Sequence, residues 1–325
     1  MTDPLPSRAD TSNAHRASQP ADAVKIKLFE RVPDAARPYI SLARLDRPIG
    51  IWLLVLPCWI GLAFSSLSSG LCLSLMGWAL LFTLGAVAMR GAGCTWNDIT
   101  DRDLDAGVAR TAARPIPAGL ISLKAAYAFL LVQLAIGFLV WLFLPPFAKL
   151  VALCALPLVA LYPFMKRLTY WPQLWLGMTF NWGLLVAGAT LGGLQVSHIL
   201  LYLALILWTV AYDTIYALQD REDDALMGIK STALLFGDHV PAFAFTCHFA
   251  CAILLALVCW INGLGIIAAL MVSGFLMQGA WQYRRITKNS DGSALSAFKS
   301  NLWAGLIVCL GFFLESLVRT LSGSA

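Results

Sequence analysis

LMGWALLFTLGAVAMRGAGCTWNDITDRDLD, residues 75–105, carries two signals in one stretch. From 71 to 94 the chain is apolar apart from Ser74, Thr83 and Arg90, long enough to cross about 30 Å of hydrocarbon as a helix. NDITDRDLD (97–105) then sets four carboxylates within nine positions. Acids placed directly after such a run stand at a membrane edge. Runs of the same kind read at 48–68, 71–94, 125–144, 147–165, 174–192, 199–219, 241–260, 263–283 and 302–318, nine spans in all.

The composition agrees. The chain has 325 residues, of which 59% are hydrophobic and 13% charged, with a mean hydropathy of +0.74. A soluble fold cannot keep that much apolar side chain off its surface, so the class is an all-α integral membrane protein. Lys and Arg fix the orientation, because cytoplasmic loops collect positive charge. The N-terminal segment and the chain at the ends of spans two, four, six and eight hold 21 of the 23 basic residues. Lys149 and Arg319 lie at the other ends, which puts the N-terminus in the cytoplasm and the C-terminus outside.

Residues 1–37 are polar and acid-containing and read as a disordered cytoplasmic tail, with the membrane domain at 38–325. The tail lacks the apolar core of a signal peptide, and its acids argue against a mitochondrial transit peptide; a bacterial inner membrane is the expected location, with the mitochondrial inner membrane as the alternative. Topology accounts for the net charge of +5, and no basic cluster with interleaved aromatics calls for a nucleic-acid partner. The eight cysteines are scattered without a CxxC and the four histidines are isolated, so zinc and haem have no visible ligand set.

Half of the 18 acidic residues fall in two windows: Asp98, Asp101, Asp103 and Asp105, then Asp213, Asp220, Glu222, Asp223 and Asp224. Each window lies at the cytoplasmic end of an even-numbered span, the second and the sixth, so the two halves read as a weak internal repeat around one cavity. On a helix, Asp98, Asp101 and Asp105 fall within about 60° of one another, and Asp213, Asp220 and Asp224 within about 40°. Asp103 and Glu222 point elsewhere. An ionised carboxylate facing lipid costs roughly 2.5 to 3.5 kcal/mol, so Asp213, deep in its span, must face a polar cavity or a partner. Aligned carboxylates without His or Cys select hard cations, and Mg²⁺ is commonly held by one or two carboxylates together with substrate phosphates. Arg90, inside span two, is a functional candidate by its position in the membrane; Lys166, Arg167 and Lys230 stand near the acids, either as ligands or as membrane anchors.

These motifs resemble a known family. NDITDRDLD is similar to the NDxxDxxxD motif of the UbiA superfamily of intramembrane aromatic prenyltransferases, and DREDD (220–224) to its second motif, DxxxD. RLDRPIG (44–50), MRGAGCTWND (89–98), RTAARPIPAG (110–119), YPFMKR (162–167), AYDTIYALQDREDD (211–224) and GIKSTA (228–233) resemble the branch that prenylates 4-hydroxybenzoate for ubiquinone. The resemblance covers residues 40–320 or so. It implies nine helices around a central cavity, both acidic motifs under a cytoplasmic cap, and a lateral opening for the lipid tail. It implies Mg²⁺ and diphosphate on Asn97, Asp98, Asp101, Asp105, Asp220 and Asp224, and Arg90, Lys166, Arg167 and Lys230 around diphosphate or the acceptor carboxylate, with Tyr162 beside them. The substrates would be polyprenyl diphosphate and 4-hydroxybenzoate, in contact with membrane lipid.

Cleavage of the allylic C–O bond leaves an anion on diphosphate, which cations stabilise, and an allylic cation, which Tyr162, Tyr212, Tyr216 or Trp96 could shield. Ring attack ortho to the hydroxyl then needs a base. Asp213, Asp220 and diphosphate itself are the candidates; with Asp101 and Arg90, the two carboxylates complete the expected reacting centre. Other acceptors of this superfamily (haem, naphthoate, chlorin) and a cation-coupled transporter remain the competing readings, the last opposed by acids gathered at one face rather than at mid-membrane.

Overall fold

The computed structural model describes residues 32–105, 111–288 and 292–323. The described residues fold into helices: α1 (Arg37–Leu42), α2 (Ile49–Ser69), α3 (Ser74–Thr100), α4 (Arg102–Asp105), α5 (Leu123–Phe143), α6 (Pro146–Leu153), α7 (Leu156–Leu168), α8 (Pro172–Phe180), α9 (Trp182–Thr190), α10 (Val196–Ala217), α11 (Arg221–Leu226), α12 (Thr232–Phe236), α13 (Val240–Ile261), α14 (Ile266–Thr287), α15 (Ser293–Lys299) and α16 (Asn301–Ser322). In lipid no water is available to unpaired amides, so an apolar stretch closes its hydrogen bonds on itself as a helix. The polar tail expected at residues 1–37 lies outside the described residues as far as residue 31.

Among the described residues, eight helical stretches are long and apolar enough to cross a bilayer. The run at 174–192 differs from the expected single span. It consists of α8 and α9, two helices of nine residues, each only about 14 Å long. They meet at Asn181, which is fully buried and whose Nδ2 donates to the Gly177 carbonyl (2.8 Å), the Leu205 carbonyl (3.1 Å) and Thr209 Oγ1 (2.8 Å). The backbone tightens there to an i→i+3 bond from Leu184 N to Asn181 O.

α2 and α10 are the most enclosed spans; α5 and the α6–α7 pair face outward. α10 packs on α13, α2 on α16 and α9, α3 on α5, and α14 on both α13 and α16. The core holds Trp208, Tyr212, Phe275 and Phe312, each 1% exposed or less. Gly61 allows the α2–α9 crossing, since a Cβ there would stand 2.7 Å from the Leu184 carbonyl oxygen. At the end of the bundle away from the acids, Glu315 of α16 is buried and accepts hydrogen bonds from the Gly265 and Ala268 amides (3.1 and 3.0 Å), capping α14 from a neighbouring helix.

A cavity of about 660 Å³ runs between α2, α3, α5, α6–α7, α8–α9 and α10. One end is polar, and both acidic clusters reach it. The other is a gallery of Leu53, Phe82, Met89, Val140, Trp141 and Val186. Leu134 and Phe138 on α5 and Leu153 and Leu156 at the α6–α7 junction line the gallery and are also 39–56% exposed outside. Between these elements the gallery opens laterally, toward the lipid.

Candidate functional site

The first acidic motif does not lie on one helix. α3 ends at Thr100, Asp101 caps it with φ −98° and ψ 2°, and Asp105 belongs to the short α4. The expected division of the acids nevertheless holds. Asp98 and Asp101 are 0% exposed and Asp105 6%, whereas the Asp103 side chain is 88% exposed and, among the described residues, meets only Arg102. The turn at Asp101 brings Asp105 back under the bundle, with its amide donating to the Asp101 carbonyl at 2.8 Å.

Among the described residues, four cations surround the three buried acids. Arg44 Nη2 bridges both oxygens of Asp98 (2.7 and 2.9 Å), and its Nη1 donates to the Ser41 carbonyl. Arg114 Nη1 joins Asp98 (3.3 Å) to Asp105 (2.6 Å). Lys166 and Arg167, in the last turn of α7, both grip Asp101, Arg167 at 2.9 Å. Burial pushes the Asp105 carboxyl above the usual carboxylate range; Arg114 opposes this and the neighbouring Asp98 adds to it. Arg44 holds its position with φ 57°, the one non-glycine left-handed residue among those described.

The second motif is also broken. α10 stops at Ala217, a 3₁₀ turn spans Leu218–Asp220, and α11 carries Asp224. Asp213 and Asp220 reach the cavity wall; Asp224 is half-buried off the wall, and Glu222 is exposed. Gln173 Oε1 accepts from the Thr232 amide (3.0 Å), and the Thr214 and Thr232 hydroxyls meet at 2.6 Å, which fastens the chain after the motif to the bundle.

Of the residues expected in the site, Arg90, Asn97, Asp98, Tyr162, Asp213 and Asp220 share the cavity wall. Asp101, Asp105, Lys166 and Arg167 form a charged layer next to it. Lys230 goes elsewhere. Its amide donates to the Lys166 carbonyl (2.8 Å), its Nζ to the Leu168 carbonyl (3.3 Å), and it lies over the Tyr170 ring, at the C-terminal end of α7. Trp96 also leaves the cavity, tying α3 to α7 through the Ala160 carbonyl at 3.1 Å, whereas Tyr212 and Tyr216 stay on the wall.

Three further arginines stand on the cavity wall, Arg44, Arg47 and Arg114, which enter the sequence reading only as part of the positive charge that sets the topology. The signal was present, since each lies within a motif quoted above, at the same membrane edge as the acids. Among the described residues no three His, Cys, Asp or Glu side chains lie close enough to cage a metal by themselves. What the wall offers is oxygen donors, including an Asn97 side chain without a hydrogen bond to a described residue, interleaved with guanidinium groups. Such a wall suits a polyanion that brings further ligands with it.

A sequence profile of the UbiA prenyltransferase family matches residues 54–306. The chain is 45% identical over 293 residues to the mitochondrial 4-hydroxybenzoate polyprenyltransferase of Bos taurus, covering 88% of this chain and 77% of the relative. It is 40% identical over 290 residues to the 4-hydroxybenzoate octaprenyltransferase of Tolumonas auensis, covering 87% and 98%. The chain spans from 65% of the length of the Aedes aegypti relative to 98% of the Tolumonas one. The apo structure of a UbiA homolog from Aeropyrum pernix K1 superposes with a TM-score of 0.68 at 27% identity, covering 81% of this chain and 97% of that one. The Archaeoglobus fulgidus UbiA homolog bound to GPP and Mg²⁺ shares the fold with a TM-score of 0.65 at 20% identity, covering 87% and 99%.

Proposed function

Because the chain belongs to the UbiA prenyltransferase family, we propose that it transfers a polyprenyl group from polyprenyl diphosphate to 4-hydroxybenzoate, at the ring carbon ortho to the hydroxyl, in ubiquinone biosynthesis. The observation that carries this reading is a single cavity whose charged end joins both acidic clusters and whose apolar gallery opens to lipid. A substrate with a diphosphate head and a hydrocarbon tail fits both ends at once.

Mg²⁺ is the cofactor of this reading, held by Asn97, Asp98, Asp101, Asp105, Asp220 and Asp224 together with diphosphate oxygens; bound there, it would supply positive charge to the leaving group. Asn97 faces the cavity and suits this role without change, and Asp220 shares the cavity wall, whereas Asp98 is fully engaged by two arginines. Arg44, Arg114, Lys166 and Arg167 are the cations at hand to take diphosphate oxygens and meet negative charge as the allylic C–O bond breaks. Tyr162, Tyr212 and Tyr216 offer ring faces to the allylic cation and help exclude water. Arg90 receives the acceptor carboxylate. Asp213, on the same wall and within electrostatic range of Arg90, is the base that takes the ring proton.

The chain would cross the membrane nine times, with α8 and α9 together making the fifth crossing, the N-terminus in the cytoplasm and the C-terminus outside. The membrane is a bacterial inner membrane or its mitochondrial counterpart. A reporter fused after Ala325 tests the topology: activity on the cytoplasmic side refutes it. The reaction is tested with membranes containing the chain, labelled 4-hydroxybenzoate, a polyprenyl diphosphate and Mg²⁺. Label should become lipid-extractable and should disappear with EDTA or with Asp101→Asn; label that persists through both treatments rejects the mechanism.

A further inference from the structure

Arg90 differs from the other cations beside the acids. Arg44, Arg114, Lys166 and Arg167 each grip a carboxylate. Arg90 pairs with none among the described residues, and its Nε is buried without a hydrogen-bond partner. Asp213 lies within electrostatic range but beyond ion-pair distance. Instead the Arg90 guanidinium carbon stands 5.2 Å from the centre of the Phe180 ring. Gly50 is also close: a Cβ at that position would lie 2.7 Å from Arg90 Nη2 and 2.9 Å from Nε.

This arrangement has a chemical consequence. A carboxylate partner would use up the guanidinium donors, whereas a π face holds the cation and leaves the donors free. A partly desolvated guanidinium without an ion-pair partner is an unfavourable state that an incoming anion relieves, and the planar fork matches a carboxylate. Phe180 is the last residue of α8, directly before the buried Asn181, and Gly50 is a first-turn residue of α2 that leaves room for the guanidinium. The atoms a Cβ at 50 would meet are the tip of a flexible side chain, so a larger residue moves the guanidinium and not the backbone.

We infer that Gly50 and Phe180 are positioning residues that hold Arg90 as a carboxylate receptor, and that they thereby select aromatic acceptors carrying a carboxylate over neutral phenols. The inference rests on the reading of Arg90 as the acceptor's anchor. It is tested by steady-state kinetics in membranes on Gly50→Ala, Phe180→Leu, Phe180→Tyr and Arg90→Ala, measuring KM for 4-hydroxybenzoate, KM for polyprenyl diphosphate and the inhibition constant of benzoate. Gly50→Ala and Phe180→Leu should raise the acceptor KM and the benzoate constant about ten-fold, the scale of a lost hydrogen bond to a charged group, with the diphosphate KM little changed. Phe180→Tyr, which keeps the ring, should restore both. If Arg90→Ala raises the acceptor KM and the other variants do not, or if they raise both KM values alike, the inference is overturned and the reading of Arg90 stands. If Arg90→Ala leaves the acceptor KM and the benzoate constant unchanged, that reading falls too. Should Gly50→Ala fail to fold, the Phe180→Leu and Phe180→Tyr pair carries the comparison.

Discussion

Asp98→Asn should destabilise the protein by several kcal/mol, and by more than removal of its partner Arg44. Asp98 is 0% exposed and takes both contacts of Arg44 Nη2, at 2.7 and 2.9 Å, with Arg114 at 3.3 Å. Removing its charge leaves Arg44, 8% exposed, with a neutral amide and the Ser41 carbonyl. Breaking a buried pair from one side costs roughly 3–5 kcal/mol. The lower figure suits a site on a cavity wall, and at about 2 °C per kcal/mol for a large chain it corresponds to a melting point lower by about 6 °C. Arg44→Met is milder, because Asp98 keeps Arg114 and Arg114 keeps Asp105; about 1–2 kcal/mol is expected, with the left-handed backbone at residue 44 equally strained in both chains. The chain carries its own reporter. Cys58, Cys94, Cys247, Cys251 and Cys259 are free and buried, so a thiol-reactive dye reads unfolding in detergent on heating. Melting of Asp98→Asn within about 2 °C of the parent, or a larger loss in Arg44→Met, refutes the argument.

Asp103→Asn should leave prenyl transfer unchanged, whereas Asp105→Asn should lower it about a hundred-fold or more in the same membrane assay, since only the second acid is buried among the cations. Asn181→Leu removes three donor contacts at the α8–α9 junction and should cost about 2–3 kcal/mol, read as a lower melting temperature with the thiol dye. Glu315→Ala strands the Gly265 and Ala268 amides and should cost about 1–3 kcal/mol, while turnover per folded molecule is kept because the cap lies at the end remote from the site. Lys230→Ala should change the acceptor and diphosphate KM values by less than Lys166→Ala, since Lys230 meets the end of α7 and Lys166 meets Asp101.

The helical period was enough to separate Asp98, Asp101 and Asp105 from Asp103, even though α3 ends before Asp101. The turn there keeps the same residues inward, where Arg44, Arg114, Lys166 and Arg167 meet their charge, while Asp103 stays exposed. The break at 174–192 was not legible, since Asn181 holds it through Leu205 and Thr209, distant in sequence and brought near only by packing of α8 on α10. Lys230 misled for a related reason. A lysine just after an acidic motif looks like a phosphate ligand, but its amide is paired with the Lys166 carbonyl, and this pairing sends its side chain to the end of α7. Arg44 and Arg114 were hidden by a rule that explained them too readily: positive charge at the cytoplasmic edge satisfies topology, and counting it says nothing about which guanidinium turns inward.

The lateral gap between α5 and the α6–α7 junction bears on how such a catalyst meets its donor. At about 0.8 kcal/mol per methylene, taking even a twenty-carbon tail into water costs on the order of 16 kcal/mol, so the donor arrives by diffusing within the leaflet. Its supply is then a surface density. Diluting the membrane with inert phospholipid at fixed total donor should slow the reaction, whereas diluting the aqueous phase should not, and the acceptor, which comes from the water, should show the reverse.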